Sequence, residues 1–123
     1  MNNMEIKQGM YVRTKDGELF QCLMISIDEN NPSLNRFMNE WGNMIMFDEI
    51  DGEPSFDIAE LVRVGDYVNG KPVVHKYYIK GDSIFLIKLF GGKCIHSSKH
   101  IESVVTKEMF NGCKYEVQHE STN

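Results

Sequence analysis

The chain lacks the sequence features of a membrane or secreted protein. Its 123 residues contain no apolar run of about 18 residues, the length that a membrane-spanning helix needs. Residues 1–5 have neither the basic region nor the apolar stretch of a secretory signal. There are only three cysteines, Cys22, Cys94 and Cys113, and an odd number without an export signal predicts free thiols instead of a disulfide framework. We therefore expect a cytoplasmic protein that does not bind membranes.

Motifs of catalysis are also missing. The chain has no Gly-x-Ser-x-Gly elbow, no glycine-rich phosphate loop before a helix and no His-Glu-x-x-His pair. Covalent catalysis needs a nucleophile held beside a base, and no spacing in the chain indicates such a pair. We predict a protein that is not an enzyme and has no cofactor. A small nucleotide-acting enzyme that uses His96 or Asp48 ranks last among the function classes.

Cysteine and histidine come close together at one place. Cys94, His96, His100 and, further on, Cys113 have the side chains that zinc prefers. Their spacing matches no standard zinc finger, and there is no Cys-x-x-Cys knuckle. A small buried cysteine and two turn histidines explain the same residues. The four are weak candidates, and the prediction is that the protein holds no metal.

Positive charge is absent from a long central segment. Residues 37–62 contain no lysine or arginine but seven acids: Glu40, Asp48, Glu49, Asp51, Glu53, Asp57 and Glu60. By contrast, residues 63–123 hold nine bases and six acids. Phosphates dominate the affinity of proteins for duplex nucleic acid, so direct binding to duplex DNA is not expected. The acidic segment suits a basic partner instead.

An internal repeat is the clearest feature that the chain does contain. The sequence Gly9-Met-Tyr-Val12 returns as Gly65-Asp-Tyr-Val68, and each copy leads into a turn signal and a strand rich in β-branched and aromatic residues. The copies close on two similar pentamers, residues 58–62 and residues 101–105. Such self-similarity indicates a duplicated structural unit.

The pattern of apolar residues is mostly that of strands. Strands are predicted at residues 10–14, 19–27, 44–47, 67–68, 73–79, 83–90 and 93–96. Asn69-Gly70 and Gly91-Gly92 favour tight hairpins, because they accept positive φ. We predict a mainly β fold of two tandem SH3-like small β-barrel modules packed into one compact unit. The modules are residues 1–62, with the acidic insert, and residues 63–117, followed by a disordered tail at 118–123.

Two short segments fit helices. Thr106 is a suitable cap for one helical turn over residues 107–111. Residues 33–41 fit either a helix or a long loop, because apolar side chains recur within them at helical spacing. At the end of this segment, Trp41 either packs into the core or anchors a partner at an interface.

Three phrases of the sequence carry a resemblance. They are Asp57-Ile-Ala-Glu-Leu-Val-Arg-Val-Gly-Asp-Tyr-Val-Asn-Gly70, Ile101-Glu-Ser-Val-Val-Thr-Lys-Glu-Met-Phe110 and Lys114-Tyr-Glu-Val117. They resemble a loosely defined set of small phage and prophage proteins of Gram-positive bacteria, in which Ile-x-x-Leu-Ile-x-x-Gly-Asp-x-Val-Asn-Gly and Ile-x-x-Ile-Val-Thr-Lys-Glu-x-Phe recur. The shared residues are turn and core positions, so no catalytic residue is implied. The resemblance implies a phage or mobile-element origin and action in the cytoplasm of the bacterial host.

Small phage proteins commonly bind and disable host defence machinery, including CRISPR effectors and nucleotide-signalled systems, and two such mechanisms fit this chain. In the first, an acidic face imitates phosphate charge in the basic groove of a nucleic-acid effector. Its candidate residues are Glu40, Trp41, Asp48, Glu49, Asp51, Glu53 and Asp57. This mechanism predicts a protein partner and no small ligand.

In the second mechanism, a basic pocket at a subunit interface sequesters a cyclic nucleotide signal. Cationic and aromatic side chains are the groups that a nucleotide needs. The candidate residues are Arg63, Lys71, His75, Lys76, Tyr78 and Lys88. This mechanism predicts a homo-oligomer that retains its ligand through purification. A rival from another class is a structural or assembly connector of the virion, since a fold does not determine a function.

Overall fold

The first half of the chain forms a curled antiparallel sheet. In the computed structural model, which describes residues 5–79 and 84–113, four strands lie in the order β1-β2-β3-β4. They are β1 (Tyr11–Arg13), β2 (Leu19–Ser26), β3 (Arg36–Asn39) and β4 (Met44–Met46). After β4 the chain returns along β1, where the backbones of Tyr11 and Ser55 exchange hydrogen bonds of 2.7 and 3.0 Å. This return curls the sheet into a half-barrel.

The second half forms a sheet of five antiparallel strands in the order β8-β7-β6-β5-β9. They are β5 (Tyr67–Val68), β6 (Lys71–Ile79), β7 (Ile84–Leu89), β8 (Cys94–Ile95) and β9 (Val104–Val105). One helix, α1 (Lys107–Cys113), follows within the described residues. Short 3-10 turns lie at Pro32–Leu34, Phe47–Glu49, Ile58–Leu61 and Ser98–His100. The mainly β fold predicted from the sequence is confirmed.

Each sheet encloses an apolar cluster of its own. The first cluster consists of Ile6, Val12, Phe20, Cys22, Phe37, Ile45 and Ile50. The second consists of Ala59, Val62, Val68, Val73, Ile87, Leu89 and Ile95. Clusters of this size are small for independent folding units, so contacts between the halves matter for stability. In residues 5–79 and 84–113, no helix has the length and apolar character needed to cross a membrane.

The repeat in the sequence is also a repeat of hydrogen bonds. The Gly9 N–H donates to the Cys22 carbonyl at 2.8 Å, and the Gly65 N–H donates to the Val73 carbonyl at 3.0 Å. Both glycines have positive φ, 92° and 97°, which a glycine adopts without strain. The pairing register shifts directly afterwards in both copies, past Cys22 in β2 and past Val73 in β6. The two halves therefore begin with the same backbone pattern.

Two predictions from the sequence are wrong. Residues 33–41 are not a helix, because after the 3-10 turn at Pro32–Leu34 the chain enters β3, where Phe37 is fully buried and pairs with β2 and β4. Residues 58–62 do not match residues 101–105 in structure. The first pentamer holds the 3-10 turn Ile58–Leu61, whereas the second ends in strand β9.

The predicted helix after Thr106 is confirmed. The Thr106 hydroxyl accepts a hydrogen bond from the Met109 N–H at 3.2 Å, as a capping side chain does. The predicted disordered tail at residues 118–123 lies outside the described residues.

A buried ion pair joins the two halves. Arg13 of β1 is 1% exposed and Asp66 is 0% exposed, and the Arg13 Nη2 donates to the Asp66 Oδ1 at 3.0 Å. Arg13 also donates to the Leu61 carbonyl at 3.0 Å and to the Glu108 Oε2 at 2.9 Å. Burial lowers the pKa of Arg13, but the hydrogen bonds and charges of Asp66 and Glu108 outweigh burial and hold that pKa above its ordinary value.

The ion pair also explains why the second Gly-x-Tyr-Val copy carries an aspartate at its second position. The Asp66 carboxylate accepts from the backbone N–H of Arg63 at 2.7 Å and of Lys107 at 3.1 Å. It thus holds the start of α1 and the entry to β5 against β1. In the first copy the same position is Met10, whose Sδ accepts from the Lys7 N–H at 3.3 Å but cannot form an ion pair.

Candidate partner-binding surface

Most of the predicted acidic face lies on the turns that follow β3 and β4. Three of its carboxylates hold the local backbone. Glu40 accepts from the Gln21 N–H at 3.0 and 3.1 Å, and Glu49 accepts from the Met46 N–H at 2.8 Å. Asp57 accepts from the Ala59 N–H at 3.0 Å, which caps the 3-10 turn. These acids position the turns on which the remaining charges are displayed.

Of the other three acidic candidates, one forms an ion pair and two have exposed carboxylates without a partner among the described residues. Asp51 forms an ion pair with Arg63 at 3.0 Å, and both side chains are partly exposed. Asp48 and Glu53 are exposed, and within residues 5–79 and 84–113 neither carboxylate has a hydrogen bond or an ion pair. A binding partner would therefore gain the full attraction of Asp48 and Glu53 without breaking a contact within the chain.

Trp41 lies in the turn between β3 and β4 and is 68% exposed, so it is not a core residue. The side-chain Oδ1 of buried Asn39 accepts from the N–H groups of Trp41 and Asn43, at 3.0 and 2.9 Å, and this fixes the turn. The Trp41 and Phe20 rings form a T-shaped pair, with centroids 5.9 Å apart and planes 81° apart. Most of an oriented indole is thus left exposed for a partner, and tryptophan is enriched among interface anchors.

A row of methionines was missed by the sequence reasoning. Met24, Met38 and Met44 are direct cross-strand partners on β2, β3 and β4. Met24 is 63% exposed and Met44 is 49% exposed, because the intervening Phe37 and Ile45 point into the core. Exposed thioethers adapt to varied apolar surfaces. The alternation Met-Ile-Met at residues 44–46 was the signal that could have revealed this row.

The predicted ligand-binding residues of the second sheet lie on different faces of that sheet. His75 and Lys88 are cross-strand partners on the outer face, because Ile87 and Leu89 beside Lys88 are buried. Lys76 pairs with Ile87 and points to the other face, where its Nζ donates to backbone carbonyls at 2.7 and 2.8 Å. Burial lowers the pKa of Lys76, against the opposing effect of nearby carboxylates.

The remaining ligand candidates are also dispersed. Tyr78 lies two residues beyond Lys76 in β6 and is 56% exposed, whereas Lys71 is at the other end of that strand. Arg63 is engaged with Asp51. Within one chain these six side chains do not converge on a single pocket.

The four weak metal candidates show no site. Cys94 is half-buried, and His96, His100 and Cys113 are exposed. Within the part of the chain that the structure describes, no three His, Cys, Asp or Glu side chains are grouped as metal ligands would be.

The acidic turns, Trp41 and the methionine row all belong to the first half of the chain, and we call them together the acidic–methionine surface. Its parts are spread over the sheet, because the turn at residues 40–43 and the 3-10 turn Phe47–Glu49 lie at opposite ends of β4. Comparison of the chain with protein-family models, curated proteins and solved structures finds no match.

Proposed function

We propose that the protein is a non-enzymatic inhibitor from a phage or prophage that binds a bacterial defence component, such as a CRISPR nuclease, in the host cytoplasm. The acidic segment would occupy the basic groove in which that component holds nucleic acid. The observation that carries the proposal is the set of seven acids without a single base in residues 37–62, with Asp48 and Glu53 exposed and unpaired in the described structure. Negative charge on a folded surface is what a phosphate-binding groove attracts.

The proposal includes the finer description of the fold as two tandem SH3-like modules. The repeated hydrogen bonds at Gly9 and Gly65 support it, as does the pairing of each Gly-x-Tyr-Val tyrosine with a closing segment, Ser55 for Tyr11 and Val105 for Tyr67. In this arrangement the second module and the buried ion pair hold the first module in shape, and the first module presents the acidic–methionine surface.

Charge and apolar contact have separate roles in the proposed complex. Exposed carboxylates accelerate the encounter with a basic partner. Their attraction weakens as salt rises, because the Debye length falls to about 8 Å at physiological ionic strength. Trp41 and the exposed methionines supply the desolvated contacts that lengthen the lifetime of a complex. The expected partner surface is therefore basic, with apolar residues among its charges.

Reversing the two unpaired charges tests the proposal. The double substitution Asp48→Lys/Glu53→Lys is expected to weaken binding to the defence component by about 10- to 100-fold at low salt, because attraction becomes like-charge repulsion. Stability is expected to change by less than about 0.5 kcal/mol for each exposed site. The measurement is DNA binding by purified CRISPR nucleases and other nucleic-acid-binding defence proteins, with increasing amounts of each variant added.

The matched control is Glu18→Lys/Glu29→Lys, which makes the same change of net charge at exposed positions outside the acidic segment. The control is expected to inhibit almost as well as the unmodified protein. Equal loss of inhibition in both double variants would contradict the proposal, since net charge alone would then explain the effect.

Native mass spectrometry separates the proposal from its alternatives. The proposal predicts no bound nucleotide after incubation with cyclic and linear nucleotides. One ligand mass per subunit interface would favour sequestration of a nucleotide signal, in which a second copy of the chain brings the dispersed cationic residues together. Ring-shaped oligomers without ligand would favour a virion connector.

A further inference from the structure

A groove lies between the two halves of the molecule, and two of its lining residues, Phe56 and Ile58, flank Asp57 of the acidic face. Its volume is about 380 Å³, within the range of about 300–1,000 Å³ that is usual for ligand sites. Six of its nine lining residues are apolar or aromatic, while polar atoms contribute the larger part of the exposed lining; the six are Tyr11, Leu19, Phe56, Ile58, Ile101 and Val104. Phe56 is 58% exposed, so the groove opens to solvent beside an aromatic ring.

The internal repeat shows what covers the equivalent position in the second half. Tyr11 and Tyr67 are the third residues of the two Gly-x-Tyr-Val copies, and each precedes a valine that is fully buried. Phe110 of α1 stacks on Tyr67, with ring centroids 4.7 Å apart and planes 28° apart. In the first half the chain continues as the 3-10 turn Ile58–Leu61 instead of a helix, and within residues 5–79 and 84–113 no ring stacks on Tyr11, although Phe56 also lines the groove. Tyr11 borders the open groove.

We propose that the groove binds an aromatic side chain of a partner protein against Tyr11, as Phe110 binds Tyr67 within the chain. Stacked or edge-on aromatic pairs are favourable beyond the area that they bury. The proposal goes beyond the function proposed above, because no residue of the acidic–methionine surface lines the groove.

The charge of the lining favours a protein side chain over a nucleotide. None of the nine lining residues is a lysine, arginine or histidine, and one of them is Glu102. A phosphate group would be repelled by this carboxylate and would find no cation in the lining. The uncharged ring of a phenylalanine, tyrosine or tryptophan has no such cost, and the serines at positions 98 and 103 can bond to the backbone that carries it.

Chemical-shift mapping of the full chain with a defined probe tests the proposal. N-acetyl-L-phenylalaninamide and N-acetyl-L-tryptophanamide are expected to cause saturable shifts of the Tyr11, Ile58 and Ser103 amides. N-acetylglycinamide, which has the same backbone and no ring, is expected to cause none. Shifts that do not saturate, that cluster elsewhere, or that appear equally with the glycine probe would overturn the proposal.

Two variants sharpen the test. Ser103→Phe places a ring from the chain itself at the exposed rim of the groove, and it is expected to abolish the probe shifts. Phe110→Ala uncovers Tyr67, and it is expected to add a second set of saturable shifts around Tyr67 while the first set remains. Unchanged binding in Ser103→Phe, or no second site in Phe110→Ala, would overturn the assignment. The acidic substitutions Asp48→Lys/Glu53→Lys leave the groove intact, so this result is independent of the proposed inhibition.

Discussion

Replacing Asp66 with alanine is expected to lower the free energy of unfolding by about 3–5 kcal/mol. The substitution leaves the Arg13 guanidinium, which is 1% exposed, with only the Leu61 carbonyl and the Glu108 carboxylate as partners. It also removes the acceptor of the Arg63 and Lys107 N–H groups. A buried cation that loses one of its two carboxylate partners costs far more than the pair itself contributes, because the guanidinium stays desolvated with Glu108 alone to balance it.

The chain contains its own control for this prediction. Asp51 pairs with Arg63 in a bridge of the same two residue types, but these side chains are 46% and 42% exposed. Solvent screens such a pair, so Asp51→Ala is expected to cost less than about 1 kcal/mol. Urea denaturation at neutral pH measures the free energy of unfolding of both variants. The dependence of that free energy on urea concentration is compared with that of the unmodified protein. Similar losses in the two variants would contradict the assigned role of the buried pair.

The substitution Gly17→Ala is expected to cost about 3–4 kcal/mol, because it combines backbone strain with a collision at the junction of the two halves. Gly17 has a φ of +82°, and an added Cβ would lie 2.5 Å from the Glu108 Cβ and 2.8 Å from the Thr106 Oγ1. The first turn of α1 would have to move away. That movement would strain the Thr106 hydrogen bond to the Gly17 carbonyl and the bond between Glu108 and Arg13.

Gly42→Ala separates the collision from the strain. Gly42 has the same φ of +82°, but no atom lies within 4 Å of its added Cβ. Only the strain remains, and a loss of about 1–2 kcal/mol is expected. Thermal unfolding followed by circular dichroism compares the two alanine variants. If Gly17→Ala were no more destabilising than Gly42→Ala, α1 would not be packed against the β1–β2 turn as described.

Local sequence signals were sufficient for most strands and hairpins. Asn69 and Gly70 both adopt positive φ, 52° and 82°, as the hairpin dipeptide predicted. The same local reasoning was wrong at residues 33–41, because strand β3 buries Phe37 together with the polar Asn39, whereas Trp41 of the apolar helical spacing is 68% exposed. Pairing of β3 with β2 and β4 makes residues 36–39 a strand, and that pairing cannot be read from the residues of β3 alone.

The acidic part of the candidate site could be predicted, since net charge over a segment needs no structure. The face of the sheet on which each candidate side chain lies could not be predicted. Strict alternation from the buried Val73 would turn His75 inward and Lys76 outward. The register shift in β6 between Val73 and His75 reverses both side chains, so that His75 faces outward and Lys76 faces inward. The burial of Arg13 was also beyond local reasoning, because its partner Asp66 lies 53 positions away in the sequence.

The most direct measurement of the central claim is capture of host proteins on the immobilised chain at about 50 mM salt, followed by elution with short duplex DNA. We expect that the captured proteins bind nucleic acid, that DNA and raised salt each release them, and that Asp48→Lys/Glu53→Lys captures far less. Proteins that stay bound in the presence of DNA, or that the charge-reversed variant retains equally, would contradict occupation of a nucleic-acid groove by the acidic surface.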